Sequence, residues 1–323
     1  MIPVEKLEQV KRIVSHDNCA DGTTSAMILR LVLPEASVEL VQYGTDARER
    51  MVAEPGLLFC DMSPPESRAV EFLDAGALVL DHHAKCKATI LRFVEAGQGA
   101  FGDEEEDPGV GGALLAFRHV WLPLAQHLEE LRGVSATHFR AEVEDLAILA
   151  GIYDTWQTKH PRWIEAQQQA AAIKFWGPDR LVGTSPSSWG GVITLVGERA
   201  YERRLEDARN SLERAFYITT SNGLRAVAFN GIDPTSDAAE MLREHPEHAP
   251  GPADLLVGFA LAREDGRPKV YYSTRTVSGW DVGAFCKAQG GGGHSASAGF
   301  NVEGITEEDN PLAILRQRLE ELG

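Results

Sequence analysis

In LVLDHHAKC (78–86) three aliphatic residues run directly into Asp81, His82 and His83. A buried strand emerging from a sheet ends in this way, and an acid followed by two imidazoles at its mouth is suited to holding a metal. Three more clusters have a similar form. His16, Asp17 and Asp21 crowd SHDNCADGTTSA (15–26) after the strand-like RIVSH, Asp61 directly follows LLFC, and Asp154 stands near the end of LAILAGIYDTW (146–156). Singly, each has a mundane account, since an aspartate at a strand end usually caps a helix or forms a turn. Gathered at one edge of a sheet, they form a mixed nitrogen and oxygen site that suits manganese or a similar divalent ion better than structural zinc. Two such ions about 3.5 to 4 Å apart can activate a water and steady the phosphorus of an in-line displacement. Gly22 permits a tight backbone, and Thr23, Thr24 and Ser25 are expected near a helix start, where N–H groups receive anions.

The elements that must position these groups follow a βαβ rhythm. RIVSH (12–16), SVELVQY (37–43), LLFCD (57–61) and ALVLD (77–81) read as strands, with helical patterns after the first and third. This alternation predicts an α/β domain built on a doubly wound, mainly parallel sheet, whose ligands lie beyond the carboxyl ends of its strands. FGDEEEDPGVGG (101–112) reads as a solvated acidic loop. GERAYERRLEDARNSLERAFY (197–217) reads as an exposed charged helix, and the last hundred or so residues as a smaller α+β domain. The expected division is a metal-bearing domain over 1–185, a linker helix over 186–215 and a substrate domain over 216–323, with the active site in the cleft between domains. In the last part, the run QGGGGHSASAGF (289–300) lets the backbone approach an anion, and His294 can donate to a phosphate oxygen. Arg275, just upstream in YYSTRT, offers the guanidinium fork that binds phosphate bidentately. Trp156 is a candidate base-stacking residue, whereas the helical settings of Trp163 and Trp176 predict core packing.

Bulk properties narrow the partners. The 323 residues are 43% hydrophobic and 24% charged, as expected of an ordinary soluble chain. No apolar run is long enough to span a bilayer, and the opening MIPVEKLEQVKRIV carries charges throughout, so a cytoplasmic protein with no membrane partner is expected. Cys19, Cys60, Cys86 and Cys286 show no C-x-x-C spacing and are expected to be reduced, most of them core or near-site bystanders. A formal net charge of −17 weighs against long nucleic acids, whose binding depends on many lysines and arginines, and favours small phosphorylated substrates.

Taken in order, these motifs resemble the DHH phosphoesterases, named for the tripeptide present here as Asp81-His82-His83. The opening acidic motif looks like Asp17 to Gly22, the second-motif aspartate is matched by Asp61, the later motif by GIYDTW with Asp154, and the terminal GGGH signature by GGGHSASAG (291–299). The resemblance implies two divalent ions, Mn2+ first with Mg2+ or Co2+ as substitutes, held by Asp21, Asp61, His82 and Asp154, with one or both of His16 and Asp17 completing the set. It places His83 near the scissile phosphate as a catalytic residue, beside Asp81, which is either a ligand or an acid that orients an imidazole. Arg275, Gly291, Gly292, Gly293 and His294 are assigned to substrate binding. This chain departs from the fullest metal sets, having Cys19 and Thr23 where a further acid stands. The implied activity is hydrolysis of short oligonucleotides, dinucleotides or related small phosphoesters by metal-activated water, in a protein that is a candidate homodimer. The alternatives are a RecJ-like single-strand exonuclease, an exopolyphosphatase and a catalytically silent nucleotide sensor.

Overall fold

The computed structural model describes residues 2–132, 136–184, 186–249, 251–264, 266–306 and 308–321. The chain divides into two compact units, Met1–Tyr201 and Glu202–Gly323, and the division falls inside the helix Glu198–Glu213. Among the described residues, no helix is long and apolar enough to cross a membrane.

The first unit is built on five strands, β1 (Arg12–His16), β2 (Ser37–Val41), β3 (Leu57–Cys60), β4 (Leu78–Asp81) and β5 (Gly99–Phe101), all parallel, in the order β2-β1-β3-β4-β5. Side chains alternate between the faces of a strand, and here both faces are covered. Ile13, Leu58 and Leu80 pack with Ile28, Leu114 and Phe117 on one side, while Val14, Phe59 and Val79 pack with Phe72, Ile90 and Phe93 on the other. Burial on both faces is why the strands read as unbroken apolar runs rather than as an alternating pattern. The strand order reverses direction between β1 and β3, which opens a crevice at their carboxyl ends.

Two sequence expectations need adjusting. The edge strand β5 is absent from the sequence reading because three residues beginning with glycine carry little strand signal. The helix after β1 starts at Ala20, so Thr23, Thr24 and Ser25 lie buried inside its first two turns. They do not present end N–H groups to an anion.

The second unit carries a mixed six-stranded sheet. Its strands are β6 (Phe216–Thr219), β7 (Arg225–Asn230), β8 (Leu255–Glu264), β9 (Arg267–Thr276), β10 (Gly292–His294) and β11 (Ser297–Glu303), in the order β10-β11-β9-β8-β7-β6. Only β7 and β8 pair in parallel. Leu255, Val257 and Tyr272 pack with Val282, Phe285 and Leu315 on one face, while Val227, Phe229 and Leu256 pack with Ala238 and Leu242 on the other. Of the glycine run expected to approach an anion, Gly292 and Gly293 lie in β10 of the β10/β11 hairpin, in which Gly293 pairs with Ala298 and His294 with Ser297.

Candidate metal centre

The carboxyl ends of the first sheet carry the chemistry. His16 ends β1, Asp61 follows β3, Asp81 ends β4 and His82 follows it, so three neighbouring strands deliver their polar groups to one edge. Asp21 comes from the first turn of the helix Ala20–Val32, and Asp154 is the last residue of the helix Arg140–Asp154. A carboxylate at a helix C-terminus opposes the helix dipole, a local cost that the fold accepts at this position.

Backbone strain gathers here too. Asn18, Asp61 and Trp156 have left-handed φ values of 52°, 59° and 53°, and they are the only described non-glycine residues with positive φ. Such conformations cost about 1–3 kcal/mol each and cluster where geometry serves a site. Glycine makes room for the backbone. A Cβ on Gly22 would fall 2.2 Å from the His16 carbonyl oxygen, so this residue is needed for close helix-to-strand contact and not, as its sequence setting implied, for a turn.

Around Asp61, the donor atoms of Asp21, Asp61, His82 and Asp154 lie within 4.8 Å of one another, and those of His16, Cys19 and Asp61 form a second such group. His82 Nε2 is 3.2 Å from Asp61 Oδ1, 3.2 Å from Asp154 Oδ2 and 3.9 Å from Asp21 Oδ2. Its other nitrogen, Nδ1, lies 3.1 Å from Glu104 Oε1. A carboxylate only accepts, so Nδ1 carries a proton and Nε2 is the atom that faces the acids. His16 is fixed in the same manner. Its Nε2 is 3.3 Å from Gln42 Oε1, while the Gln42 amide NH2 donates to the Asp17 carbonyl and sets the amide's direction. The Nδ1 lone pair of His16 is thereby turned towards Asp61 Oδ2, 3.5 Å away, and neither atom has a hydrogen-bond partner although both are buried. Two acceptors facing each other in this way repel unless a cation or a proton lies between them.

The electrostatics follow from crowding. Burial, then the charges of Asp61 and Asp154, holds the Asp21 carboxyl well above the usual range. Burial alone would lower His82, but hydrogen bonds with Asp154 and Asp61, together with the Asp21 charge, push it up to about 12. Burial works to raise Asp61 as well, yet the hydrogen bond and charge of the His82 imidazole hold it below its ordinary value. Without a cation, then, the acids keep a second proton on His82. Because this pKa is raised on folding, its stabilisation is complete below the unfolded value of about 6.5 and declines as pH rises towards 12. A divalent cation bound at this cluster would replace that proton. Loading at pH 8 should release protons, seen as a difference in calorimetric heat between buffers of unlike ionisation enthalpy. Equal heats in both buffers would contradict the arrangement.

Asp81 sits behind this group. Its Oδ1 accepts from the His82 N–H at 2.8 Å and from His83 Nδ1 at 2.7 Å, and its Oδ2 accepts from the Tyr43 hydroxyl at 3.3 Å. So occupied, it is suited to orienting the His83 imidazole and to fixing the backbone at His82. Asp17 belongs to none of the metal-type groups found among the described residues. In the second unit, Arg275 donates to Ser236 Oγ at 3.1 Å, to Ser273 Oγ at 3.2 Å and to the Thr274 carbonyl at 2.8 Å, and His294 and Gly291 to Gly293 are exposed in and beside β10. Trp156 is 37% exposed with its ring 5.1 Å from that of Trp163, which is buried, while Trp176 is half-buried against Ile173 and Trp189. The sequence reading passed over Glu104, Gln42 and Tyr43. Only Glu104 left a trace, as one acid among several in a loop whose charge reads as solvation.

No family model and no curated protein matches the sequence. Solved structures do match. A DHH-domain protein described as a member of a family of ribosomal proteins superposes with a TM-score of 0.57 at 12% identity, over 98% of this chain and 87% of its own. RecJ from Thermus thermophilus, solved with Mn2+, gives 0.57 at 19% identity, over 99% of this chain and 53% of the longer RecJ chain. The chain has the DHH fold. A pGpG-specific phosphodiesterase from Vibrio cholerae matches less closely, at 0.40 and 13% identity over 97% of this chain and the whole of its own. The motif resemblance therefore holds at the level of architecture, and within that DHH fold a buried cluster of histidines and aspartates forms a candidate metal site.

Proposed function

We propose that the protein is a metal-dependent phosphoesterase that hydrolyses short oligonucleotides, dinucleotides or similar small nucleotide phosphoesters. The observation that carries this reading is the pair of buried, unpartnered acceptors, His16 Nδ1 and Asp61 Oδ2, beside a His82 nitrogen that faces three carboxylates. A donor set of this kind asks for cations, and its carboxylate majority fits Mn2+, the ion held by the RecJ neighbour. Asp21, Asp61, His82 and Asp154 would hold one ion, and His16 with Asp61 would hold another. Bound there, such ions supply positive charge for a phosphoryl group and lower the pKa of water.

The protein's own groups complete the chemistry. Asp81 binds His83 Nδ1, fixing the ring and leaving Nε2 as its second proton-carrying position. Burial lowers His83, but the hydrogen bond and charge of Asp81 outweigh it and raise the imidazole above its ordinary value. So placed, His83 is the group positioned to carry a proton towards the leaving oxygen or the developing phosphoryl charge. Arg275, His294 and the Gly291 to Gly293 backbone grip a substrate phosphate. The −17 charge supports small substrates, since a long strand demands a broad basic track.

Hydrolysis of a panel with manganese, comparing wild type with His82→Ala, tests the proposal. The panel contains pApA, a five-nucleotide RNA, long single-stranded DNA, 3′-phosphoadenosine phosphate and polyphosphate. Cleavage of the short nucleotides, lost in His82→Ala, is expected; a salt-sensitive preference for the long DNA favours the exonuclease reading, and cleavage of none removes the proposal. Asp81→Asn adds a second check. Losing the group that raises His83 should move the alkaline limb of the kcat profile to lower pH, and an unmoved limb would take His83 out of the proton transfer.

A further inference from the structure

We infer that Cys19 is a metal ligand, so that His16, Cys19 and Asp61 form a thiolate-containing cation position beside the carboxylate-rich one and share Asp61 with it. The inference rests on the reading that the cluster holds divalent cations, and it alters which cations those are.

Four observations converge on the thiol. The donor atoms of the three residues lie within 4.8 Å of one another. Asp61 is fully buried, and its Oδ2 has no hydrogen-bond partner. The facing His16 Nδ1 is equally unpartnered, with its lone pair turned inward by Gln42. Cys19 itself is directed into the cluster, its Sγ lying 3.3 Å from Asp154 Oδ1 as a thiol donor to that carboxylate. Burial, with the charges of Asp154, Asp61 and Asp21 around it, pushes the thiol well above its ordinary value. The thirteen-residue helix Ala20–Val32 begins directly after it, and the N-terminal dipole of that helix works the other way, in favour of the thiolate that a cation requires.

The chemistry of the two positions then differs. Asp21, Asp61, His82 and Asp154 present three carboxylates and one imidazole, a set that accepts manganese or magnesium. Carboxylate, imidazole and thiolate together favour zinc, cobalt or ferrous iron. Binding there is a proton exchange in which the cation replaces the thiol proton, the S–H bond breaks as the metal–sulfur bond forms, and the proton leaves to solvent. The centre is therefore asymmetric, with one hard position and one softer one. A metal-free preparation given manganese alone would fill the second position poorly.

Cobalt(II) reads both positions optically. Titrating metal-free protein should produce weak visible d–d bands from bound cobalt and a sulfur-to-cobalt charge-transfer band in the near ultraviolet. In Cys19→Ser the charge-transfer band should be lost while the visible bands remain. Cys19→Asp, which returns a carboxylate to the position, should also keep cobalt and lose only that band, and it serves if the serine variant does not fold. Visible bands without charge transfer in the wild type, or charge transfer that persists in Cys19→Ser, would overturn ligation by Cys19 and leave the metal-site reading standing. Absence of any cobalt spectrum would remove the metal site itself, and this inference with it.

Discussion

Asp61→Asn should abolish metal uptake and hydrolysis together while the protein still folds. Asp61 belongs to every metal-type group among the described residues, with one oxygen 3.2 Å from His82 Nε2 and the other 3.5 Å from His16 Nδ1. Asparagine preserves the volume and tolerates left-handed φ better than other side chains, so the 59° backbone angle survives the exchange. What it removes is charge, and with it the one carboxylate available to both cation positions. Losing an outer hydrogen-bond partner of a metal site costs about 10–100-fold in affinity or activity, and loss of the shared ligand should exceed that. The control is thermal. Cation at about a hundred times its Kd should stabilise the wild type by about 2.7 kcal/mol, whereas the Asp61→Asn melting temperature should not respond to cation. A variant that still gains stability from manganese, or still hydrolyses at a hundredth of the wild-type rate or better, would remove Asp61 from the centre.

Gly112→Ala is expected to damage stability and the candidate metal site together. A Cβ at Gly112 would stand 2.4 Å from Asp61 Cβ, 2.7 Å from its Cα and 2.9 Å from its backbone nitrogen. The obstacle is backbone and the stem of a candidate ligand, so no flexible side chain can yield. Overpacking of a tight interior costs about 1–3 kcal/mol, occasionally more, and here the strain falls on the strained residue itself. The same movement disturbs Asp21, whose carboxylate accepts from the Gly112 and Ala113 N–H groups. Chemical unfolding should show the midpoint reduced by the equivalent of at least about 1 kcal/mol, with hydrolysis falling further than the loss of folded protein explains. A wild-type midpoint together with wild-type activity would show that the helix beginning at Gly112 can shift away without consequence.

Much of the arrangement was legible because parallel sheets advertise themselves. Unbroken apolar runs such as LLFC and LVL can be buried on both faces, so the acids that end them had to emerge at one edge. On that pattern alone His16, Asp61 and His82 belong together. It could not reach Glu104, which acts on His82 from a loop 22 residues further along, because a carboxylate in DEEED looks the same whether it meets an imidazole or only water. Nor could it read the glycines. GVGG resembles a loose loop, whereas Gly112 starts a helix pressed against Asp61. The left-handed angles at Asp61 and Trp156 are equally silent in sequence, since tertiary contacts impose them against local preference. Spacing rules for cysteine pairs are equally silent about Cys19, whose sulfur lies near the donor atoms of one histidine and one acid.

The double grip of Asp21 on Gly112 and Ala113 has a spectroscopic consequence. Those two amides lie 91 and 92 residues along the chain from the acid, yet their protons rest on its two oxygens. Electron density drawn from the carboxylate by a bound cation is density withdrawn from both hydrogen bonds. Their nitrogen and proton resonances therefore act as a built-in gauge of occupancy, readable in a labelled sample with no substrate, no chromophore and no catalytic turnover. Slow exchange of the same two amides with deuterium would further separate a protein that is merely folded from one that is loaded.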